Sequence, residues 1–124
     1  MKKFGYYETV VMDFDGVIHS YKSGWHEGQK ITDIYDEPVQ GIKETIINLR
    51  REGFKIVIVS SRCRTLFGRM AIRKWLKKYE IVVDAVQRDK PPARCYVDDR
   101  AICFCNDCKT LVHNIHNFQS WLGV

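Results

Sequence analysis

Two aspartates, Asp13 and Asp15, follow a short apolar run in the stretch TVVMDFDGVIHSY (residues 9–21). A single residue separates them and Gly16 closes the pair. The run before them is apolar throughout, which is typical of a strand whose two faces are both covered. Such a strand would deliver both carboxylates to one place. Carboxylates that lie close together can hold a hard cation or divide acid, base and nucleophile roles between them.

Two later predicted strands, at 54–61 and 94–97, also lead to polar residues. Ser60 and Ser61 end the first, Asp98 and Asp99 follow the second, and Lys90 lies just ahead of the second. The carboxyl ends of parallel strands meet at one edge of a sheet, so we expect all of these side chains beside the first aspartate pair. Four acids in one crevice repel each other unless a cation lies among them. Carboxylate oxygens favour Mg²⁺ as that cation.

This combination of groups predicts phosphoryl-transfer chemistry. A carboxylate can attack phosphorus and form an aspartyl-phosphate. A second acid two residues away can protonate the leaving oxygen and then deprotonate the water that hydrolyses the intermediate. The Ser60 hydroxyl, the backbone amides at the following helix start and the Lys90 ammonium are suited to hold the anion. The sequence therefore predicts a Mg²⁺-dependent phosphatase that acts on a phosphomonoester.

Four segments, in this order, resemble the motifs of the haloacid dehalogenase-like (HAD) phosphohydrolase superfamily: VVMDFDGVI, IVIVSSR, KPP and YVDDRA. They extend over residues 8–104. The resemblance implies that Asp13 is the nucleophile, and that Asp15 is the general acid/base and also a metal contact through its backbone carbonyl. It also implies that Lys90 neutralises charge on the nucleophile and the phosphate.

The resemblance further implies that Ser60 binds the phosphoryl group and that Asp99, with Asp98 nearby, holds the metal ion. Asp99 is favoured as the direct ligand because the second acid of such a pair usually has that role. Ser61 is an alternative phosphate ligand, and Ser60 could instead serve only as a helix N-cap. Gly16 is counted with the substrate-binding residues.

The elements that must position these residues alternate between strand and helix patterns. We predict strands at 7–12, 54–61, 81–86 and 94–97, a short one at 101–104, and helices from Pro38 to Gly53, from Thr65 to Tyr79 and at about 114–122. This order predicts an α/β fold, a Rossmann-like three-layer sandwich around a central, mainly parallel sheet. The 124 residues suit one domain, 1–124. Neither 19–38 nor 62–90 has room for a cap domain, so the resemblance is to a capless member.

The charge of the chain is unevenly distributed. Its net charge is +5, with 20 basic and 15 acidic residues. Seven of the basic residues lie between Arg62 and Lys78 with no acid among them, and the rest of the chain holds 13 basic against 15 acidic residues. This segment is either a solvated basic helix face or a surface for an anionic partner, such as a nucleotide or a nucleic-acid end. Apolar runs are too short for a membrane span, and we expect a cytoplasmic protein. The oligomeric state is left open.

Several alternatives compete with this interpretation. A response-regulator receiver domain also uses acids, a hydroxyl and a lysine, but it has no acidic pair after the lysine. A catalytically silent phosphate-binding or regulatory protein of the same fold would keep the same residues. The irregular segment 19–38, with His19, Trp25 and His26, could contact substrate or only anchor itself. Five cysteines fit reduced thiols. A zinc site is the less favoured interpretation of one cluster, made of Cys103, Cys105, Cys108, His113 and His116.

Overall fold

The computed structural model describes residues 4–123 and contains one parallel four-stranded sheet. Its strands are β1 (Thr9–Met12), β2 (Lys55–Ile58), β3 (Ala85–Val86) and β4 (Cys95–Val97), in the order β3-β2-β1-β4. The helices are α1 (Ile42–Arg51), α2 (Leu66–Lys78) and α3 (Cys108–His116), and 3₁₀ turns span Tyr6–Glu8 and Ser61–Arg64. The predicted α/β class with a parallel sheet is confirmed. Among residues 4–123, no helix has the length and apolar character needed to cross a bilayer.

Alternate residues of β1 and β2 face opposite sides of the sheet, as the two-residue period of a strand requires. On one side α1 and α2 cover the sheet, and the buried side chains there form the larger core: Val10, Met12, Phe14, Ile18, Ile46, Ile56, Ile58, Cys63, Ile72, Trp75, Leu76, Ile81 and Val86. The other side has a smaller cluster around Val11 and Val57, against which Phe4 packs. Both faces of β1 are buried, which is why its sequence is apolar throughout.

The apolar spacing of the sequence predicts buried stripes at Ile42, Ile46 and Leu49 in the first helix and a broad apolar face that includes Phe67 and Ile72 in the second. Ile46 is buried in the core, and Ile42 and Leu49 pack against it. In α2 Ile72 is buried as predicted, but Phe67 is 71% exposed. Five residues of helix turn Phe67 about 140° away from Ile72, so it lies off the buried stripe.

Several predicted boundaries are wrong for local reasons. The first helix begins at Ile42 rather than at Pro38, because the chain turns at Gly41, whose φ of 84° is left-handed. The last helix lies six residues earlier than predicted. The Asp107 side chain accepts hydrogen bonds from the amides of Lys109 and Thr110, so α3 begins at Cys108 and ends before Asn117. Only the last two residues of 81–86 are a strand, and 101–104 forms none.

Candidate active site

The predicted site residues lie where β1, β2 and β4 end. The Asp13 amide donates to the carbonyl of Val97 at 2.9 Å, and the Val59 amide donates to that of Met12 at 3.2 Å. These bonds continue the parallel pairing past the strand ends. Asp13, Ser60 and Asp98 are therefore carried to the same edge of the sheet, as the sequence predicts.

Three carboxylates meet at this edge. Asp13, Asp98 and Asp99 each offer one oxygen, and the three oxygens lie within 4.8 Å of one another. We call these residues the acidic trio. The Phe14 amide donates to Asp13 Oδ1 at 2.8 Å, and the Arg100 amide donates to Asp98 Oδ1 at 2.9 Å. Hard carboxylate oxygens at this spacing suit a divalent cation of the Mg²⁺ type.

The electrostatics of the trio also fit a cation. Burial raises the pKa of Asp13 to about 7, and the charges of Asp98, Asp15 and Asp99 add to this effect, whereas the Phe14 amide opposes it. Burial and the neighbouring Asp98 likewise raise the pKa of Asp99. The negative charge of the trio is thus incompletely compensated by protein groups, which a bound cation would relieve.

Gly16 allows Asp99 to approach the first motif. Its φ is 83°, and a Cβ on this residue would collide with the carboxylate of Asp99. Any L-residue would therefore be strained and would displace the carboxylate. The Gly16 carbonyl accepts a hydrogen bond from Trp121 Nε1 at 2.6 Å, so it also ties the C-terminal segment to the site. The Gly16 amide donates to the carbonyl of His19 at 2.8 Å, and these contacts place Gly16 beside the acidic trio.

A cleft of about 370 Å³ opens beside the trio. Five predicted site residues line it, namely Asp13, Ser60, Ser61, Lys90 and Asp98. Three arginines also line it, Arg64, Arg88 and Arg100, and we did not predict them as site residues. Their positions in the sequence could have identified them, because each arginine lies within a few residues of a strand end or of a predicted site residue. The Asp13 cleft thus combines a carboxylate nucleophile candidate with hydroxyls and four cationic side chains.

Ser60 serves two purposes. Its hydroxyl accepts a hydrogen bond from the Arg62 amide at 3.3 Å and so caps the 3₁₀ turn Ser61–Arg64. It also lines the Asp13 cleft together with Ser61. The N-cap of α2 is Thr65, whose side chain accepts from the Gly68 amide.

Asp15 does not join the acidic trio. Its Oδ1 lies 2.8 Å from His19 Nδ1 and its Oδ2 lies 2.9 Å from Arg62 Nε. His19 Nε2 accepts the amide hydrogen of Asp36, so its Nδ1 carries the proton that is donated to Asp15. Burial alone would raise the pKa of Asp15, but the hydrogen bonds from His19 and Arg62 outweigh burial and lower it. Asp15 is therefore an ionised carboxylate whose two oxygens are both engaged by hydrogen bonds.

Arg62 fits neither interpretation of the basic segment, because it is buried within the protein. Its side chain is 1% exposed and, besides Asp15, its Nη1 donates to the carbonyls of Ile31 and Asp33 at 2.7 Å each. The Trp25 ring lies 5.8 Å from its Cζ. The main-chain path that bends around it needs Gly68, where a Cβ would strike the Arg62 carbonyl. No local pattern reveals this role, because the partners are 29 to 47 residues away.

The segment 19–38 is thereby anchored rather than suspended over the cleft. The Ser20 amide donates to the carbonyl of Glu37 at 2.9 Å, and Trp75 Nε1 donates to that of Asp36 at 3.0 Å. His19 is 1% exposed and serves this anchor. Within the part of the chain that the structure describes, no residue of 19–38 lines the Asp13 cleft.

Cys103, Cys105 and Cys108 do not line the Asp13 cleft. All three are free and exposed. Across residues 4–123 the acidic trio is the only group of three ligand atoms close enough to share a metal ion, so the structure does not assemble the alternative zinc site.

Comparisons with known proteins bear on the fold. A conserved protein from Bacteroides thetaiotaomicron has a similar structure, with a TM-score of 0.56 and 21% sequence identity over 93% of this chain and 94% of that chain. At 21% sequence identity, this similarity indicates a shared fold and nothing more specific. No family model and no curated protein matches the chain.

Proposed function

We propose that the protein is a Mg²⁺-dependent phosphatase that hydrolyses a phosphomonoester through an aspartyl-phosphate on Asp13, as HAD-like hydrolases do. The observation that carries the proposal is that two members of the acidic trio, Asp13 and Asp98, line one cleft together with Ser60 and Lys90. The trio supplies the oxygens for a cation, and Mg²⁺ held there would neutralise charge on the phosphoryl group. The cleft supplies a hydroxyl and cationic groups for the phosphate oxygens.

The proposed reaction has two displacements. A carboxylate oxygen of Asp13 attacks phosphorus, the bond to the leaving oxygen breaks, and the leaving oxygen takes a proton from solvent water. A second water then gives a proton to Asp15 and attacks phosphorus, and the bond between phosphorus and Asp13 breaks, which releases inorganic phosphate and restores the Asp13 carboxylate. Asp13 must be ionised to attack, and a cation held by the acidic trio would favour that form.

The role of Asp15 is the part of this reaction that the geometry constrains most. To protonate the leaving oxygen Asp15 must first gain a proton, and its bonds to Arg62 and His19 oppose this. To act as a base on the attacking water, Asp15 needs only to give up its hydrogen bond to either Arg62 or His19. We therefore assign Asp15 to the hydrolysis step and expect substrates whose leaving oxygen needs little protonation to react fastest.

The engagement of Asp15 also favours a second candidate function. A protein whose acid/base carboxylate stays bonded to Arg62 and His19 would bind phosphate esters without turning them over. It would keep the acidic trio and the cationic cleft, and it would differ only in the absence of phosphate release.

Phosphate release from a panel of phosphomonoesters, with and without Mg²⁺, distinguishes the two functions. The panel contains an aryl phosphate, sugar phosphates, nucleotides and oligonucleotides phosphorylated at the 3′ or 5′ end. We expect release that requires both Mg²⁺ and Asp13 and that is lost in Asp13→Asn. Asp107→Asn is the matched control, because Asn also caps a helix and Asp107 lies at the start of α3. Binding of these esters without release would instead support the silent alternative.

A further inference from the structure

A second groove adjoins the Asp13 cleft. It has a volume of about 550 Å³, and Arg69 and Arg73 of α2 line it together with Arg88. Arg88 lines the Asp13 cleft as well, so the two spaces share a wall. We call this second space the arginine groove. It lies on the segment that holds the charge excess of the chain.

The two α2 arginines are held in place by main-chain carbonyls. Arg69 Nη1 donates to the carbonyl of Cys63 at 2.6 Å, and Arg73 Nη2 donates to that of Val86 at 3.1 Å. A guanidinium has five N–H groups, so each retains donors beyond these bonds. Side chains that are already ordered lose less entropy when they bind an anion.

The acids that line the groove offset this charge only in part. Asp84 is bonded to Arg50 through two hydrogen bonds of 3.1 Å and accepts the Ile56 amide at 2.8 Å. These bonds lower the pKa of Asp84 although its burial would raise it. Asp84 thus shares its charge between Arg50 and the groove, and Asp89 is the second lining acid. The three lining arginines still outnumber these two acids by one charge.

We propose that the arginine groove binds a second phosphate of the substrate, so that the preferred ligand carries two phosphate groups, one in the Asp13 cleft and one beside Arg69, Arg73 and Arg88. The proposal rests on the proposed function for the identity of the first phosphate. Arg88 bridges the two positions. Two sources share this chemistry, a small bisphosphorylated metabolite or nucleoside and the phosphorylated end of a nucleic acid.

The test measures binding in the Asp13→Asn background, where turnover cannot confuse the result. Titration calorimetry compares adenosine 5′-monophosphate with adenosine 3′,5′-bisphosphate. We expect the bisphosphate to bind about tenfold more tightly or better, as one added charge-assisted contact predicts. Arg69→Gln and Arg73→Gln should each weaken bisphosphate binding about tenfold and leave monophosphate binding unchanged.

The controls separate charge in the groove from charge elsewhere on α2. Lys74→Gln removes an exposed positive charge from the same helix outside the groove and should change neither affinity. Glutamine keeps an amide donor for the carbonyl that each arginine contacts. As a check that needs no substitution in the groove, bisphosphate binding should fall more steeply with salt than monophosphate binding. Equal affinities for the two ligands, or an equal loss in Lys74→Gln, would overturn the proposal.

Two further arms identify the source of the second phosphate and keep the two proposals separable. Tighter binding of fructose 1,6-bisphosphate than of a 5′-phosphorylated tetranucleotide assigns the groove to small bisphosphates, and the reverse order assigns it to nucleic-acid ends. Bisphosphate selectivity without phosphate release from the unmodified protein supports the groove and contradicts the phosphatase. Phosphate release without selectivity supports the phosphatase and contradicts the groove.

Discussion

Replacing Asp13 by asparagine should change how the stability of the protein depends on pH. Burial raises the pKa of Asp13 from 3.8 to about 7. Between these values the unfolded chain has released the proton that the folded protein still holds. The free energy of unfolding therefore falls as the pH rises through this window and is level above it. Asparagine does not titrate, and its side-chain oxygen can still accept the Phe14 amide.

The magnitude follows from the size of the shift. About three pH units at 1.36 kcal/mol per unit correspond to about 4 kcal/mol, and partial solvent access to the carboxylate reduces this to about 2–4 kcal/mol. The stability of Asp13→Asn, measured relative to the wild type, should therefore rise by about 2–4 kcal/mol from pH 4 to pH 8 in the absence of divalent cations. In a domain of this size the gain corresponds to roughly 10 °C in the unfolding midpoint.

Chemical and thermal unfolding at pH 4, 6 and 8 in a chelating buffer measure this difference. Mg²⁺ added at pH 8 should stabilise the wild type and have less effect on Asp13→Asn, because the variant offers one carboxylate fewer. Asp107→Asn serves as the control with the opposite sign. Its hydrogen bonds to Thr110 lower the pKa of Asp107, so its contribution is lost as the pH falls. A wild type and an Asp13→Asn variant with parallel pH curves would refute the reasoning.

Three further substitutions test other parts of the site. Arg62→Met should destabilise the protein by about 3 kcal/mol in urea unfolding, because it removes the hydrogen bonds that Arg62 donates to the Asp15 carboxylate and to two loop carbonyls. A change below about 1 kcal/mol would contradict the anchoring role. Gly16→Ala should weaken Mg²⁺ binding in calorimetry, since its Cβ displaces Asp99, and unchanged affinity would exclude Asp99 as a ligand. Lys90→Met should lower kcat/KM for phosphate release by about 10²-fold, whereas Lys30→Met in the anchored segment should not.

The sequence predicts well what local patterns determine. The apolar runs of β1 and β2 can be buried only inside a covered sheet. The polar residues at their ends then meet because parallel strands share an edge. The meeting of Asp13 with Asp98 and Asp99 follows from this argument, but the argument also placed Asp15 among them. Gly16 was predicted only as a substrate-binding residue, and its left-handed φ of 83° beside Asp99 was not predicted.

What the sequence does not reveal depends on distant partners. Asp15 has the same local context as Asp13, yet Arg62 and His19 draw its carboxylate away from the trio. Arg62 belongs to a basic run that looks solvated, and its burial depends on carbonyls of Ile31 and Asp33 in an irregular segment. The last helix was misplaced because the Asp107 cap outweighs the apolar spacing of the residues that follow.

The most direct test of the central claim is to trap the phosphorylated intermediate. The protein is mixed with Mg²⁺ and the best substrate of the panel, quenched in acid during turnover, and digested for mass spectrometry. We predict one added phosphoryl group on the peptide that contains Asp13, absent without Mg²⁺ and absent in Asp13→Asn. Phosphate release that continues in Asp13→Asn, or a phosphoryl group on another residue, would contradict the assignment of Asp13 as the nucleophile.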